Sequence, residues 1–205
     1  KNIYMKPKEI LVFGASGQIG RHLIRKLTKN NYKVVAVTRN IHQKGYILKT
    51  QANPGYLELV ELNYFNIEKI SSLVEECSIC INLIGLLFEK KKNFFKIIHS
   101  DFPNLLSKLS DEKNIEKFIH ISSIGIEKSI DSKYAISKLD GENKIKNNFD
   151  RAVILKPSLV YSVDDNFTTN FMTLLNRLPI MPLYYQGKTK FTPIHVTDLV
   201  QIILM

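Results

Sequence analysis

Residues 9–29 read EILVFGASGQIGRHLIRKLTK, and this stretch indicates how the chain folds. Glu9–Phe13 is a short apolar run rich in residues that favour strands, and a glycine follows it directly. Gln18–Lys29 instead has its apolar residues three and four positions apart, the spacing of one helix face. The stretch therefore predicts a buried strand that passes through a glycine-rich turn into an amphipathic helix.

The turn between that strand and that helix has the spacing G-x-x-G-x-x-G. Gly14 would permit a tight turn, Gly17 would let the backbone approach a pyrophosphate, and Gly20 would let helix and sheet pack closely. The unpaired N–H groups and the dipole of a helix N-terminus attract phosphate. Because the glycines lie between a strand and a helix, they predict a dinucleotide-binding loop; a turn that binds nothing is the alternative.

Strand-like and helix-like segments alternate as far as Pro157. Strands are predicted at Lys33–Thr38, Tyr56–Leu62, Ser78–Ile84, Lys117–Ser122 and Ala152–Leu155, and helices at Ile67–Glu76, Phe94–Lys113 and Tyr134–Asn148. Such alternation predicts right-handed βαβ units and an α/β fold, a Rossmann-type doubly wound parallel sheet. We assign residues 1–157 to an NAD(P)-binding domain of this kind.

The pattern changes after Pro157, and residues 158–205 are interpreted as the start of a C-terminal substrate or partner region. The elements predicted here are a loop at Val160–Asp165, a helix at Phe167–Arg177, a turn at Leu178–Pro182, a strand at Lys190–Val196 and a final helix capped by Asp198. An apolar helix that stops at Met205 would leave its apolar face without a partner, so we expect this region to be incomplete. Met5 similarly indicates that Lys1–Tyr4 precede the natural start.

The composition is that of a globular chain. Of the 205 residues, 44% are apolar and 23% are charged, and two cysteines are too few for a disulfide framework. The longest apolar run, Ile79 to Phe88, is too short to span a bilayer, and no basic-then-apolar leader precedes the first strand. These features argue against secreted, collagenous, disordered and integral-membrane classes.

The formal net charge of +10 bears on the choice of partner. Most of the basic residues are lysines in a chain that is also rich in asparagine and isoleucine, and the aromatic residues are not interleaved with basic ones. A surface for nucleic acid would combine a basic groove with aromatic platforms. We therefore expect no nucleic-acid partner; an anionic membrane surface or an acidic protein fits the charge better.

The end of the second predicted strand bears on the choice between NAD and NADP. NAD-preferring folds place a carboxylate about 20 residues after the glycine loop, whereas this chain has Arg39 there. Arg39 could pair with a 2′-phosphate, and Arg21 could assist, so NADP(H) is favoured over NAD(H). The alternative is that both are ordinary solvated arginines.

Polar residues and a glycine also lie at the ends of the next strands. Asn63, Asn82 and Gly85 could contact adenine or ribose without steric hindrance, although either asparagine could equally be a turn residue.

A second group of residues predicts acid–base chemistry. Ser122 and Ser123 close the fifth predicted strand, and Tyr134 and Lys138 lie four residues apart near the start of the next helix. An ammonium group near a phenol lowers the pKa of the phenol, and a serine hydroxyl can share the substrate oxygen. Placed after this glycine loop, the group predicts a usable acid or base.

Six stretches carry a resemblance to a known family: FGASGQIGRHLIRKL (13–27), CINLIGLLFE (80–89), FIHISSIG (118–125), SKYAISKLDGE (132–142), AVILKPSLVYS (152–162) and FTPIHVTDLV (191–200). On these, the chain resembles the short-chain dehydrogenase/reductase superfamily, in its extended or atypical branch. Within that superfamily it is most similar to the nucleotide-binding accessory subunits of respiratory complex I and their bacterial relatives. The last three stretches are the more specific, because they extend beyond the generic nucleotide fold.

The resemblance implies two kinds of site residue. It makes Tyr134 the position of the reductase acid, with Ser122 or Ser123 as its partner and Lys138 beside it. The predicted dinucleotide-binding residues are Gly14, Ser16, Gly17, Gln18, Ile19, Gly20, Arg21, Arg39, Asn63, Asn82, Gly85, Tyr134, Lys138 and Pro157.

The resemblance also implies a role. Only 11 residues separate Ser123 from Tyr134, and Tyr161-Ser162 replaces the Tyr-Gly of sugar-nucleotide epimerases, which favours the complex I-like group. In that group the dinucleotide is a structural cofactor and the partners are complex I subunits. The implied location is cytoplasmic, peripheral on the inner face of the respiratory membrane, or matrix-side in mitochondria. The alternatives are a soluble NADP-dependent reductase, epimerase or dehydratase and a non-catalytic nucleotide sensor.

Other candidate motifs have simpler explanations. Cys77 and Cys80 have C-x-x-C spacing, but one falls at a helix end and one in a strand, so we interpret them as buried thiols. His195 and Asp198 lack a third ligand nearby, so no metal site is predicted. His120, on an apolar strand, is interpreted as a core histidine with satisfied hydrogen bonds.

Overall fold

A computed structural model describes residues 9–62, 66–89, 91–129, 131–178, 186, 188 and 190–205, without the side chains of residues 166 and 167. Six of its strands form one parallel sheet in the order β3-β2-β1-β4-β5-β6. These strands are β1 Glu9–Phe13, β2 Lys33–Thr38, β3 Leu57–Glu61, β4 Ile79–Asn82, β5 Lys117–Ile121 and β6 Ala152–Leu155. The order reverses between β1 and β4, and ligands of open α/β sheets bind at such a switch point.

Helices cover both faces of the sheet. They are α1 Gln18–Lys29, α2 Ile41–Gln51, α3 Ile67–Glu76, α4 Phe94–Lys96, α5 Phe102–Glu112, α6 Lys133–Asn148, α7 Asn166–Arg177 and α8 Val196–Leu204. A π-helical segment, Ile97–Asp101, joins α4 to α5, and a 3₁₀ turn spans Ile126–Lys128. Two further strands, β7 Val160–Tyr161 and β8 Ile194–His195, pair in parallel outside the main sheet.

Two buried clusters explain the layering. One joins β1 and β4 side chains to the apolar faces of α3 and α5, and the other joins the opposite face of the sheet to α1, α2 and α8. Strands that are covered on both faces need near-continuous apolar sequences, and β1 and β2 have them. The predicted Rossmann-type parallel α/β fold is therefore confirmed.

Several predicted boundaries differ from those observed. The helix α2 was not predicted, because it carries an interior glycine and no clear apolar stripe. The predicted long helix Phe94–Lys113 is interrupted by the π-helical segment. Asp198 does not cap α8, since His195 occupies the N-cap and its side chain accepts the Thr197 N–H; Asp198 lies in the first turn instead.

The region after Pro157 also differs from its prediction. The predicted loop at Val160–Asp165 contains β7, and the predicted strand Lys190–Val196 is reduced to β8. The predicted turn Leu178–Pro182 falls mostly outside the described residues. The apolar face of α8 packs into the same cluster as α1. None of the described helices has both the length and the apolar character needed to cross a bilayer.

Candidate functional site

The glycine turn is shaped by close backbone approaches. Gly14 has a φ of +79°, and a Cβ there would lie 3.0 Å from the backbone of Leu83 and Ile84. A Cβ on Gly20 would lie only 2.4 Å from the carbonyl oxygen of Ala15. These short distances show why glycine is needed at both positions: Gly14 forms a tight turn, and Gly20 lets the helix pack closely on the sheet, as predicted.

The N-terminus of α1 is arranged for an anion. Gly17 is the N-cap, and no side chain among the described residues bonds to this end of the helix. The first turn of α1, which includes Gln18 and Ile19, has no acidic residue. The first N–H groups of the helix and its dipole therefore face the turn, where a pyrophosphate would be stabilised.

Two clefts open on either side of this turn. The first has a volume of about 510 Å³ and the second of about 1040 Å³. Both are lined by Ser16 and Gly17 from the turn and by residues 83–86 after β4. The clefts thus adjoin at the glycine turn, which is the arrangement that a two-part ligand joined by a pyrophosphate needs.

The first cleft is basic. Arg39 and Lys44 line it, and no Asp or Glu is among the described residues that do so. Thr38 and Asn40 lie on the same wall, and the Asn40 side chain caps α2 by accepting the N–H of Gln43. A guanidinium and an ammonium group without a carboxylate among the described residues of this wall favour an anionic group there. The predicted residue Asn63 lies outside the described residues.

Arg21 does not join Arg39 in the first cleft. It lines the second, where its guanidinium lies 2.8 Å from the Asp164 carboxylate. Asp164 also accepts the hydroxyl of Ser162, and Gln18 donates to that hydroxyl at 2.8 Å. Arg21 and Gln18 thus tie the first turn of α1 to the segment after β7, and the two arginines predicted to act together occupy different clefts.

The second cleft contains the predicted acid–base group. Tyr134, Lys138, Ser122, Ser123 and Pro157 all line it. The Ser123 side chain interacts with the Tyr134 phenol, whereas the Ser122 hydroxyl has no hydrogen-bond partner among the described residues. Lys138 lies with its ammonium 5.6 Å from the centre of the Tyr134 ring, on the ring face.

The expected effect of Lys138 on Tyr134 is not observed. Burial raises the pKa of the Tyr134 phenol above its usual value, and only the hydrogen bond from Ser123 opposes this. Lys138 faces the ring and donates to the carbonyl of Ile121 at 3.3 Å. The prediction of a lowered phenol pKa is therefore wrong for this structure, because desolvation is the larger effect.

Lys138 itself is strongly perturbed. Its side chain is buried, and burial lowers its pKa from 10.5 to about 8, although the nearby Glu142 carboxylate favours the charged form. Glu142 is fully buried one turn further along α6 and lies 2.7 Å from the ammonium of Lys156, which also pairs with Glu127. The site lysine is therefore buried near a carboxylate that pairs with a second lysine, rather than in solvent.

Of the predicted strand-end residues, Gly85 lines both clefts, whereas Asn82 lines neither. Gly85 faces Lys138, since a Cβ on Gly85 would lie 3.8 Å from the Lys138 nitrogen. Asn82 is fully buried at the end of β4, where its side-chain oxygen accepts the Ile84 N–H. Its amide contacts His120 Nδ1 at 3.1 Å. His120 is buried as expected, but its Nε2 has no hydrogen-bond partner among the described residues, so the interpretation of a fully satisfied histidine is wrong.

Two buried polar atoms on the second cleft are left without partners among the described residues. They are the hydroxyl of Ser122 and Nε of Arg21. A buried polar group without a hydrogen bond is costly, so such atoms mark a position where a ligand would complete the site. Together with the glycine cradle and the anion-binding helix end, they fit a bound dinucleotide.

The cysteine pair and the possible metal ligands do not form a ligand site of this kind among the described residues. Cys77 and Cys80 are free and buried, and burial raises the pKa of both, that of Cys77 to about 12, which matches the prediction of inert thiols. No group of three or more potential ligands for a metal ion occurs among the described residues.

Sequence reasoning missed three residues of this site: Lys44 in the first cleft, Glu142 in the charge network, and His99 beside Tyr134. Lys44 belongs to the unpredicted helix α2, so an assignment of α2 would have revealed it. The four-residue spacing of Lys138 and Glu142 is a usable signal for a pair on one helix face. Nothing in the local sequence distinguishes His99.

A family model described as the NAD dependent epimerase/dehydratase family matches residues 10–205. The chain belongs to this family. The match covers nearly the whole chain and confirms the resemblance to extended short-chain dehydrogenases and reductases. A nicotinamide dinucleotide is the cofactor class that this family is named for.

Curated relatives extend the comparison. The chain is 29% identical over 188 residues to the mitochondrial NADH dehydrogenase (ubiquinone) 1 alpha subcomplex subunit 9 of Mus musculus, which covers 91% of this chain and 50% of that protein. It is 25% identical over 190 residues to the mitochondrial NADH-ubiquinone oxidoreductase 40 kDa subunit of Neurospora crassa, covering 93% of this chain and 49% of that protein. A ceramide reductase of Caulobacter vibrioides is 24% identical over 191 residues, which cover 92% of this chain and 57% of that protein. The chain thus spans about half the length of the curated relatives it matches.

Solved structures agree on the fold. The UDP-glucose 4-epimerase of Thermotoga maritima superposes with a TM-score of 0.77 at 19% identity, over 96% of this chain and 72% of that one. The Bordetella bronchiseptica enzyme WbmH, solved in complex with NAD+, superposes with a TM-score of 0.74 at 16% identity, over 96% of this chain and 71% of that one. At these identities the likeness shows a shared fold and nothing further.

Proposed function

We propose that this protein holds a nicotinamide dinucleotide across its two clefts, as a structural cofactor of an accessory subunit of respiratory complex I. The observation that carries the proposal is that the two clefts adjoin at the start of α1 and share the lining residues of the glycine turn. The phosphorylated adenosine half lies against Arg39 and Lys44, the pyrophosphate against Gly14–Gly20, and the nicotinamide half near Tyr134.

The choice of NADP(H) over NAD(H) rests on the first cleft. Arg39 and Lys44 supply two cations to it, and no carboxylate is among the described residues that line it. A 2′-phosphate gains charge-assisted hydrogen bonds from a guanidinium, whereas a 2′-hydroxyl gains little from a cation. We infer that the affinity for NADPH exceeds that for NADH.

Replacing Arg39 with alanine tests this choice. We expect the Kd for NADPH to rise by roughly 10- to 100-fold, because a charge-assisted bidentate contact is lost. The Kd for NADH should change little. The rise in melting temperature that each cofactor gives measures both, since ligand-linked stability follows the Kd.

The matched control is Arg151→Ala, which removes an exposed arginine that donates to Asn114 and lines neither cleft. It should leave the affinities for both cofactors unchanged. Equal affinities for NADPH and NADH in the unchanged protein would contradict the NADP assignment, and binding of neither would contradict the cofactor proposal.

The accessory-subunit role is supported by the relatives. Five of them carry names of mitochondrial NADH dehydrogenase subunits and match more than 90% of this chain. We propose complex I subunits as its partners and a peripheral place on the inner, cytoplasmic or matrix-side face of the respiratory membrane. Comigration of the full-length protein with NADH dehydrogenase activity on a native gel tests this; migration only as a free protein contradicts it.

The second candidate is an NADP-dependent reductase, epimerase or dehydratase. It is favoured by Tyr134, Ser123 and Lys138, which lie together on the second cleft. The bound dinucleotide would supply or accept a hydride. In that case the Tyr134 hydroxyl, held by Ser123, would pass a proton to or from the substrate oxygen, and Lys138 would hold the nicotinamide ribose.

Substitutions at Tyr134 and Lys138 separate the two functions. For an accessory subunit, Tyr134→Phe should leave both NADPH affinity and comigration with complex I nearly unchanged. Lys138→Met should weaken NADPH binding and, through it, the assembled complex. For an enzyme, Tyr134→Phe should lower turnover by about 10²- to 10⁴-fold with little change in cofactor affinity. Turnover of NADPH with a carbonyl or sugar-nucleotide substrate, lost in Tyr134→Phe, would contradict the structural role.

The pH dependence of binding gives a further readout of Lys138. Burial sets its pKa at about 8, so the ammonium is lost as the pH rises through that value. The charged form is the stronger donor and attracts phosphate, so binding should take up protons and NADPH affinity should fall between pH 7 and pH 9. The fall should disappear in Lys138→Met.

A further inference from the structure

The helical segment from Phe94 to Glu112 packs against α6 at unusually close range. Its π-helical turn, Ile97–Asp101, contains His99, and π-turns occur frequently at functional sites. Gly141 of α6 lies directly against this turn, since a Cβ on Gly141 would lie 1.9 Å from the His99 carbonyl oxygen. The backbone of His99 is therefore fixed on the same helix that carries Tyr134 and Lys138.

Both ring nitrogens of His99 form hydrogen bonds, and the residue is only 1% exposed. The Ser137 hydroxyl donates to the carbonyl of Tyr134 at 2.8 Å, so its oxygen accepts from His99 Nδ1 at 3.0 Å. The remaining nitrogen, Nε2, accepts the N–H of Leu86 at 3.0 Å. This network assigns the proton to Nδ1 of a neutral imidazole.

The two ends of this network are parts of the candidate site. Leu86 belongs to the segment after β4 that lines both clefts, and Tyr134 lines the second cleft. The His99 ring also meets the Tyr134 ring edge-on, with centroids 5.3 Å apart, and stacks on Phe95 at 5.2 Å. The buried side chain of His99 thus connects the segment after β4, which lines both clefts, to the start of α6.

We propose that His99 is a positioning residue: as the Nδ1-protonated neutral ring, it fixes the Leu86 backbone against the Tyr134 turn and so preorganises the nicotinamide end of the site. The inference rests on the proposed dinucleotide site and assigns a role within it. Burial and the nearby Lys138 ammonium lower the pKa of His99 to about 4, so the neutral ring persists at neutral pH.

A comparison with His120 shows why packing alone is not the explanation. His120 is equally buried, yet its Nε2 has no partner among the described residues. Both ring nitrogens of His99 form hydrogen bonds, one with the Leu86 N–H after β4 and one with the Ser137 hydroxyl on α6. An apolar side chain of the same shape would fill the space of His99 but would leave the Leu86 N–H unpaired.

Three substitutions in the full-length protein separate the two hydrogen bonds. His99→Phe keeps the ring and removes both bonds, His99→Gln retains an acceptor near the position of Nε2, and His99→Asn retains a donor near that of Nδ1. We expect His99→Phe to raise the Kd for NADPH roughly tenfold, with partial rescue by Gln and by Asn. The Kd for adenosine 2′,5′-bisphosphate should change much less, because Leu86 borders the first cleft but the phosphate of this ligand is held there by Arg39 and Lys44.

A larger rise in the Kd for NADPH than in the Kd for adenosine 2′,5′-bisphosphate is a result that a merely structural role of His99 would not give. The matched control is Ser107→Ala, a fully buried serine of α5 that donates to the Asn104 carbonyl and lines neither cleft. It should lower the melting temperature without changing either Kd. Equal affinities of His99→Phe and the unchanged protein for NADPH, or equal losses for both ligands, would overturn the proposal.

The unchanged protein provides a test that does not depend on a variant's folding. Nitrogen NMR of its five histidines should show one ring protonated at Nδ1 that keeps its chemical shifts from pH 8 to pH 5.5. Those shifts should move on addition of NADPH but not of adenosine 2′,5′-bisphosphate. An Nε2-protonated His99 ring, or no response of that ring to NADPH, would overturn the inference. Failure of both ligands to bind would instead overturn the proposed function.

Discussion

Gly141→Ala should destabilise the protein by about 3 kcal/mol or more, the largest loss expected for any single methyl group in the described chain. The added Cβ would lie 1.9 Å from the carbonyl oxygen of His99, 3.0 Å from its carbonyl carbon and 3.3 Å from Cα of Ser100. All of these are backbone atoms, so no side-chain rotation relieves the overlap. The helix α6 must then move away from the π-helical turn.

The predicted change in stability is opposite in sign to the change that helix propensity alone would give. Alanine is favoured over glycine in a helix interior by about 1 kcal/mol, so helix propensity alone would make Gly141→Ala stabilising. Urea unfolding measures the change as a shift in the midpoint at constant slope. Because α6 carries Tyr134 and Lys138, the same variant should also weaken NADPH binding.

A second glycine provides the control. Gly45 lies inside α2, and a Cβ there would meet only side-chain methyl groups, Ile41 Cγ2 at 3.2 Å and Leu59 Cδ1 at 3.3 Å, and no backbone atom of the described residues outside its own helix closer than these. Gly45→Ala should therefore be nearly neutral or slightly stabilising. A Gly141→Ala protein as stable as the original would show that the close packing of α6 on the π-helical turn is wrong.

Gly20→Ala should abolish dinucleotide binding and lower stability by about 1–3 kcal/mol. Its Cβ would lie 2.4 Å from the Ala15 carbonyl oxygen and 2.6 Å from that of Gly14, again backbone atoms. Relief requires α1 to rise from the turn, which moves its first N–H groups away from the pyrophosphate position. Titration with NADPH, followed by its fluorescence, measures the loss.

Gly17→Ala distinguishes a displaced helix from a blocked phosphate site. Gly17 has an ordinary φ of −74°, and its Cβ would lie 3.3 Å from the Gly14 oxygen, a close contact that a small shift relieves. The variant should stay close to the original in stability while binding NADPH more weakly, because the methyl group occupies the path of the pyrophosphate. Full NADPH affinity in Gly20→Ala would contradict the assignment of this turn.

Local sequence patterns determined the strands of the sheet and most of its helices. The runs Glu9–Phe13 and Lys33–Thr38 have identical bounds in sequence and structure, because a parallel strand buried on both faces needs an uninterrupted apolar run. The run Ala152–Leu155 also keeps its bounds, although it is a partly buried edge strand. The helix α2 could not be read in this way. Its stability comes from an Asn40 cap and from packing of few residues, neither of which leaves a periodic signal.

The sequence by itself determined the fold, the glycine turn and the grouping of Tyr134 with Lys138, because each depends on residues that are close along the chain. Only the tertiary structure decided that Arg21 pairs with Asp164, that burial raises the pKa of Tyr134, and that His99 connects two walls of the site. These depend on which distant segments meet and on how much water they exclude. Desolvation and long-range hydrogen bonds are properties of the packed molecule, and no local pattern encodes them.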